Sequence, residues 1–166
     1  MKNLISCLLL IALLGCGGNR TESNRVKALA QQIADATQRN DYASVIDLSY
    51  DPIVEGMGGR EQAIKKIEKS LAKSKQLGFE ILSTKIGVPG EFHVEGANTF
   101  VVVPMTVEMT APYAKSVTET FILGISSDGG KTWKFINGAS IPKEGDPDDF
   151  LPKRPQKLVL PEIIES

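Results

Sequence analysis

The chain has 166 residues, of which 42 % are hydrophobic and 23 % are charged, and this composition is typical of a single globular domain. It carries 19 basic and 20 acidic side chains, which gives a formal net charge of -1. Because proteins that bind nucleic acid carry a clustered excess of Lys and Arg, the charge balance argues against a nucleic-acid partner.

The first sixteen residues have the pattern of an export signal. Lys2 precedes a nearly unbroken apolar run at residues 4–14, which is shorter than the ~20 residues that a membrane-spanning helix needs. The sequence Leu-Leu-Gly-Cys at residues 13–16 resembles the lipobox of bacterial lipoproteins. The resemblance implies a signal peptide at residues 1–15 and lipidation of Cys16 with palmitate-type acyl chains; an ordinary secretory signal with an incidental cysteine is the alternative.

Lipidation at Cys16 has consequences for chemistry and location. The other cysteine, Cys7, would leave with the signal peptide, so the folded domain would contain no thiol, disulfide or cysteine metal ligand. Several acyl chains anchor a protein durably, because each buried CH₂ adds roughly 0.8 kcal/mol. Gly17, rather than Asp, follows the cysteine, and by resemblance to proteobacterial lipoproteins we expect the outer membrane of the cell envelope, facing the periplasm.

The residues after Cys16 predict a tether followed by two helices. Residues 16–23 are small and polar, and from about Glu22 an amphipathic helix is predicted. Asp41 is positioned to cap a second, shorter helix that ends before Pro52. Glycines at positions 56, 58 and 59 then predict a non-helical segment.

A third helix is predicted at residues 60–77, with Gly78 as its C-terminal cap. Its apolar face carries Ala63, Ile64, Ile67 and Leu71. Its outer face carries Lys65, Lys66, Lys69, Lys73 and Lys75. Such a basic row on a membrane-tethered protein predicts contact with anionic lipid or an acidic polymer, and the alternative is an ordinary solvated face.

Residues 79–139 predict an antiparallel sheet. Two long strands at residues 99–110 and 115–127 are rich in Val, Thr, Phe and Ile, and a short Ala-Pro-Tyr-Ala loop joins them. A second hairpin turns at Asp-Gly-Gly, residues 128–130. Because side chains alternate along a strand, we expect one shared interior to receive the apolar sides of both long strands: Val101, Val103, Met105, Val107, Met109, Val117, Phe121, Leu123 and Ile125.

Residues 140–166 hold five of the nine prolines and predict an irregular tail, to which residues 157–160 could add an edge strand.

The order of these elements resembles the NTF2-like (SnoaL-like, or cystatin-like cone) fold over residues 24–139. The passage from Tyr50-Asp51-Pro52 into residues 58–63 resembles the way members of that superfamily enter their third helix. The resemblance implies an α+β fold in which N-terminal helices pack on a strongly curved antiparallel β-sheet. It also implies a pocket between the sheet and the helices, while leaving the activity open, since members include isomerases, dehydratases and non-enzymatic binding or assembly domains.

No catalytic set is evident, and Glu119 is the single candidate, because a carboxylate on an apolar strand face would have a raised pKa and could act as a general base. The alternative is a bulge that turns Glu119 outward, or a position at the pocket mouth. The one histidine, His93, is expected outside the pocket, so no acid–histidine pair is evident. Seven side chains are candidates for the pocket: Tyr50, Met57, Met105, Glu119, Phe121, Trp133 and Asn137.

Metal and cofactor chemistry have little support in the sequence. Asp146, Asp148 and Asp149 lack the glycine and the terminal glutamate of a calcium loop, and no phosphate-binding glycine loop is present. Residues 126–133 resemble the Asp-box of sialidase-type propellers, but the motif occurs once, and we interpret it as a hairpin turn with Trp133 as a core anchor. We therefore expect neither a metal nor a cofactor.

Two functional hypotheses remain from the sequence. The first is a lipid-anchored, non-catalytic module that binds a small apolar ligand or a protein partner. The second is a small cone-fold enzyme of the isomerase, dehydratase or hydrolase type, with Glu119 as the general base. A homodimer formed through the sheet is a further alternative.

Overall fold

The computed structural model describes residues 17–141 and 151–166. In these ranges the chain is α+β, with four α-helices packed on a strongly curved antiparallel sheet, and this confirms the predicted fold class. The helices are α1 (Gly17–Gln38), α2 (Tyr42–Leu48), α3 (Asp51–Gly56) and α4 (Arg60–Gln76). The strands are β1 (Glu80–Ile86), β2 (Phe92–Glu95), β3 (Asn98–Ala111), β4 (Ala114–Ser126), β5 (Lys134–Asn137) and β6 (Ile164–Glu165), with a 3₁₀ turn at Gly138–Ser140. The predicted signal peptide, Cys16 and residues 142–150 of the tail lie outside the described residues.

Helix α1 begins earlier than the sequence indicates. It starts at Gly17 rather than near Glu22, so the residues that we expected to form a flexible tether are its first turns. Asp41 caps α2 as predicted: its carboxylate accepts hydrogen bonds from the Ser44 amide at 3.2 Å and from the Ser44 hydroxyl at 2.6 Å.

The glycine-rich segment was predicted to be non-helical, and this is wrong for its first half. Pro52 stands in the first turn of α3, where its missing N–H has no helical partner to lose. Gly58 and Gly59 then adopt φ values of 95° and 86°, which place them in a conformation that side-chain-bearing residues avoid, and α4 starts directly after them.

The sheet has the strand order β1-β3-β4-β5, with β2 also paired to β3 and β6 also paired to β4. Both predicted hairpins are confirmed. The first turns at Pro112 and Tyr113, between paired Ala111 and Ala114, and the second joins β4 to its antiparallel partner β5.

The two long strands bury opposite sets of side chains, which corrects the expected shared interior. In the register of β3 and β4, Val102 lies opposite Leu123 and Val101 lies opposite Gly124. Directly opposed residues share a face of the sheet, so the odd-numbered residues of β3 and of β4 point in opposite directions. The face that carries Val101 is the inner face, and the face that carries Leu123 is the outer face.

Each face has its own hydrophobic core. On the inner face, α1 packs against the sheet in a cluster that includes Val26, Ala30, Val101, Val103, Met105, Ile122, Trp133 and Phe135. On the outer face, the C-terminal tail covers the sheet in a cluster that includes Phe100, Phe121, Leu123, Ile125, Ile136, Leu151 and Leu158. The edge strand expected at residues 157–160 instead forms at Ile164–Glu165, against Thr118 and Glu119 of β4.

Candidate functional site

A cavity of about 420 Å³ lies between the helices and the inner face of the sheet. Met105, Val107 and Ile122 contribute to its sheet side, while Ile67 and Leu71 of α4 contribute to the opposite side. Small-molecule sites in proteins have volumes of roughly 300–1,000 Å³, so the cavity is large enough for a small ligand.

Helix α4 forms one wall of the cavity rather than part of either core. Ala63 is its buried residue, and Ile64, Ile67 and Leu71 are half-buried, as the amphipathic pattern predicts. Neither hydrophobic cluster includes a side chain of α4. The apolar face of α4 therefore borders space that the rest of the described chain leaves unfilled.

One ion pair attaches this helical wall to α2, and a second attaches α3 to β5. Arg60, at the start of α4, donates through Nε and an Nη to the two carboxylate oxygens of Asp47 at 2.8 and 3.1 Å. These hydrogen bonds lower the pKa of Asp47 from its ordinary value and raise that of Arg60. Lys134 of β5 donates to a carboxylate oxygen of Asp51 in α3 and to the Asp47 carbonyl, both at 2.9 Å. Such exposed pairs contribute only ~0–1 kcal/mol each, but they join the end of α2 to the start of α4 and the start of α3 to β5.

The polar groups in the cavity wall are few and uncharged. Two hydroxyls bond to carbonyls of their own helices: Thr37 to Ile33 at 2.9 Å, and Ser49 to Val45 at 2.8 Å. The side-chain oxygen of Asn137 accepts a hydrogen bond from the Ala139 amide at 2.9 Å. Among the described residues that line the cavity, none is Asp, Glu, His, Lys or Arg. A charged ligand would lose its hydration there without gaining an ionic partner, so the chemistry of the wall favours an uncharged, apolar ligand.

The cavity adjoins a cleft between the C-terminal ends of α1 and α4, which we call the mouth. The mouth shares Thr37, Leu71 and Ile81 with the cavity. Its charged residues are Lys75 and Glu80, whose side chains form an ion pair at 3.0 Å. Charge thus occurs in this adjoining cleft and not along the described wall of the cavity.

Three of the seven predicted pocket residues line the cavity together: Met57, Met105 and Asn137. The other four lie elsewhere. Tyr50 and Phe121 belong to the outer cluster, and Trp133 belongs to the inner cluster, where its ring is edge-on to Phe92 at 5.7 Å. Burial raises the pKa of Tyr50 above its ordinary value.

Glu119 does not line the cavity. It lies opposite Thr106 of β3 and Ile164 of β6 in the sheet, with its side chain exposed on the outer face. The physical reason is the strand register, which turns the odd-numbered residues of β4 away from the helices. His93 borders a shallow groove beside Leu158 and Val159, also outside the cavity.

Sequence reasoning missed Ile122, because the even-numbered residues of β4 include Thr118, Thr120 and Gly124 and resemble a solvated face. Gly124 was the available signal, since a glycine inside a strand often marks a close approach of other groups. A side chain there would come within 3.0 Å of Val101 and 3.2 Å of the Phe135 ring. Val101 and the Phe135 ring therefore occupy the space on the inner face where a side chain at position 124 would lie.

The Asp-box sequence forms a hydrogen-bonded turn, as we interpreted it. One carboxylate oxygen of Asp128 accepts from the Thr132 amide and from the Ser126 hydroxyl, both at 2.9 Å, and the other accepts from the Thr132 hydroxyl at 2.7 Å. These bonds lower the pKa of Asp128 to about 2. The motif holds the turn before Trp133 and lies away from the cavity lining.

Residues 17–141 and 151–166 contain no group of three or more His, Cys, Asp or Glu side chains arranged to hold a metal ion. Over the same ranges, no helix combines the length and the apolar character needed to cross a membrane.

Comparison of the chain with protein-family models, with curated proteins and with solved structures gives no match.

Proposed function

We propose that this protein is a non-catalytic binding module of the NTF2-like type, which holds a small, uncharged apolar ligand in the cavity between α4 and the sheet. The observation that carries the proposal is the apolar wall of a cavity of about 420 Å³, in which no described lining residue is ionisable in the range of an acid or base catalyst. The curved antiparallel sheet under helices supports the NTF2-like assignment.

Binding of an apolar ligand has a physical driving force at this site. Burying apolar surface contributes roughly 25 cal/mol per Å², and a cavity that is already formed spares the ligand much of the cost of reorganising the protein. Ile67 and Leu71 are only half-buried without a ligand, so occupancy would also remove their side chains from water.

A cavity-filling substitution tests the proposal. Thr84 lines the cavity from β1, whereas its neighbour Lys85 is exposed. We expect Thr84→Phe to weaken binding of a lipophilic fluorescent probe such as N-phenyl-1-naphthylamine by roughly ten-fold or more, equivalent to about 1.4 kcal/mol, because the ring occupies ligand space. Lys85→Phe is the matched control and should stay within about two-fold of the parent. Equal binding by both variants, or no probe binding by the parent, would reject the cavity as the site.

The same proposal places the protein in the bacterial cell envelope, where acyl chains on Cys16 anchor it. The expected location is the outer membrane, with the protein facing the periplasm. Support comes from the lipobox-like sequence at residues 13–16. Metabolic labelling with an alkyne fatty acid in a bacterial host should mark the parent protein and not Cys16→Ser. Label retained by the variant would refute the anchor.

A further inference from the structure

One end of the molecule exposes three large apolar side chains close together. Leu77 and Phe79 flank Gly78 in the turn after α4, and Tyr113 is at the tip of the β3–β4 hairpin; their exposed fractions are 57 %, 40 % and 102 %. We call these three residues the tip patch.

Contacts between the turn after α4 and the β3–β4 hairpin hold the two parts of the tip patch against each other. A methyl group on Gly78 would lie 3.5 Å from Pro112, next to Tyr113. The Thr110 hydroxyl accepts a hydrogen bond from the Glu80 amide at 3.0 Å and lies 3.2 Å from the Gly78 carbonyl oxygen, to which it donates. The α4–β1 turn is therefore pinned to the hairpin, and the exposed side chains form one surface.

A row of lysines on α4 leads to this patch. Lys66, Lys69 and Lys73 are three and four residues apart, which places them on one side of the helix, away from the cavity-lining Ile67 and Leu71. All three are exposed, and within the described part of the chain none has a carboxylate close enough for an ion pair. Lys73 is one helical turn before Leu77. We call Lys66, Lys69 and Lys73 the lysine row.

We propose that the tip patch and the lysine row together bind the surface of an anionic lipid bilayer. Tyrosine and leucine side chains favour the membrane–water interface, where their apolar parts leave water while polar groups stay hydrated. A lysine near an anionic membrane contributes about 1 kcal/mol of attraction, equivalent to roughly five-fold in partitioning. The surface has both features side by side, one complementary to headgroup charge and the other to acyl chains.

An acidic polymer in solution fits this surface less well than a bilayer does. A polyanion would use the lysine row but has no apolar phase to receive Leu77 and Tyr113. Insertion into a membrane interface would take the fully exposed Tyr113 ring out of water, which ionic contact alone would not do.

This inference is independent of the cavity ligand and of the lipid on Cys16. It adds a geometric link to the proposed function, because Phe79 lines the mouth as well as forming part of the tip patch. A bilayer bound at the tip patch would lie beside the cleft that adjoins the cavity.

The test is vesicle co-sedimentation of the polypeptide from Gly17 to Ser166, which includes every described residue and carries no lipid. Vesicles of phosphatidylglycerol and phosphatidylethanolamine should bind it more tightly than vesicles of phosphatidylcholine, and added salt should weaken the binding. Replacing the lysine row by glutamine should reduce partitioning to the anionic vesicles on the order of a hundred-fold. The double variant Leu77→Ser/Tyr113→Ser should reduce it by roughly ten-fold.

A matched control replaces three lysines elsewhere, Lys85, Lys131 and Lys157, by glutamine and should bind nearly as the parent does. Circular dichroism checks that each variant is folded, which we expect because all substituted side chains are exposed. Equal binding to both kinds of vesicle, or parent-like binding by the lysine-row variant, would overturn the proposal. Loss of binding in the lysine-row variant with full binding by Leu77→Ser/Tyr113→Ser would show that the surface recognises negative charge alone and that the tip patch does not enter the bilayer, which would also overturn the proposal. If the cavity failed to bind the fluorescent probe, the proposed function would fail, but the expected vesicle binding would not change.

Discussion

Glu22 of α1 accepts a hydrogen bond from the indole nitrogen of Trp133 at 2.5 Å, and this bond joins the start of the first helix to the turn before β5. Arg25, three residues along the same helix, donates to the carbonyl oxygens of Gly130, at 2.8 Å, and Lys131. These long-range contacts fix α1 against the end of the sheet from Glu22 onward.

Removing the Glu22–Trp133 bond should destabilise the fold. Trp133→Phe keeps an aromatic ring in the inner core but leaves the half-buried Glu22 carboxylate without its indole donor, and hydrogen bonds to charged groups contribute about 1.5–3 kcal/mol. We expect a loss of that size in the free energy of unfolding, measured by urea denaturation. In a Glu22→Ala background the same Trp133→Phe change should cost less, whereas strictly additive losses would show that the bond contributes nothing.

The Asp-box turn should make stability depend on acid pH. The pKa of Asp128 is lowered in the folded protein to about 2, from its ordinary value of 3.8, so the ionised carboxylate stabilises the fold at higher pH. That contribution is complete above about pH 4 and is lost as the pH falls towards about 2. Asp128→Asn should therefore be less stable than the parent at neutral pH, and the difference should shrink over this window. Chemical denaturation at a series of pH values measures the difference, and a constant gap would contradict the assignment.

The C-terminal tail should contribute to stability through its buried leucines. Leu158 is 7 % exposed in the outer core and Val159, its neighbour, is 79 % exposed. Leu158→Ala should lower the free energy of unfolding by roughly 2–5 kcal/mol, because it leaves a cavity against the sheet. Val159→Ala, the matched control, should change it by no more than about 0.5 kcal/mol. Similar effects of the two substitutions in urea denaturation would mean that the tail does not pack on the sheet in solution.

Local sequence rules predicted the elements well where the signal is itself local. Asp41 is an N-cap residue followed by a helical pattern, and its carboxylate caps α2. The turns at residues 111–114 and 128–130 have residue types that specify hairpins, and both hairpins form. The segment before α4 was harder, because proline disrupts the interior of a helix but is well suited to its first turn, and Pro52 stands in the first turn of α3.

The candidate site was predictable only in part, because it depends on which faces of two strands coincide. The apolar face of α4 and the position of Met105 follow from periodicity, and both border the cavity. The placement of Phe121 and Glu119 depends instead on the pairing of Pro104 with Phe121 and of Thr106 with Glu119. The alternation of apolar and polar residues within each strand does not specify that register, because the C-terminal tail buries a second apolar face of the sheet.

Burial on both faces also changes what makes the strand pairing unique. In a sheet with one solvent-exposed face, a register shift of one residue is unfavourable because it exposes the strand's apolar side chains to water. Here a one-residue shift of β4 would replace the buried side chains of one face by those of the other, so exposure to water would not oppose it. The cost would come instead from side chains that are too large for the space available. The shift would bring Leu123 or Ile125 to the place of Gly124, where even a methyl group meets Val101 and the rings of Trp133 and Phe135 at 3.0–3.4 Å. The native alignment is thus selected by the one position on that strand where a side chain is missing.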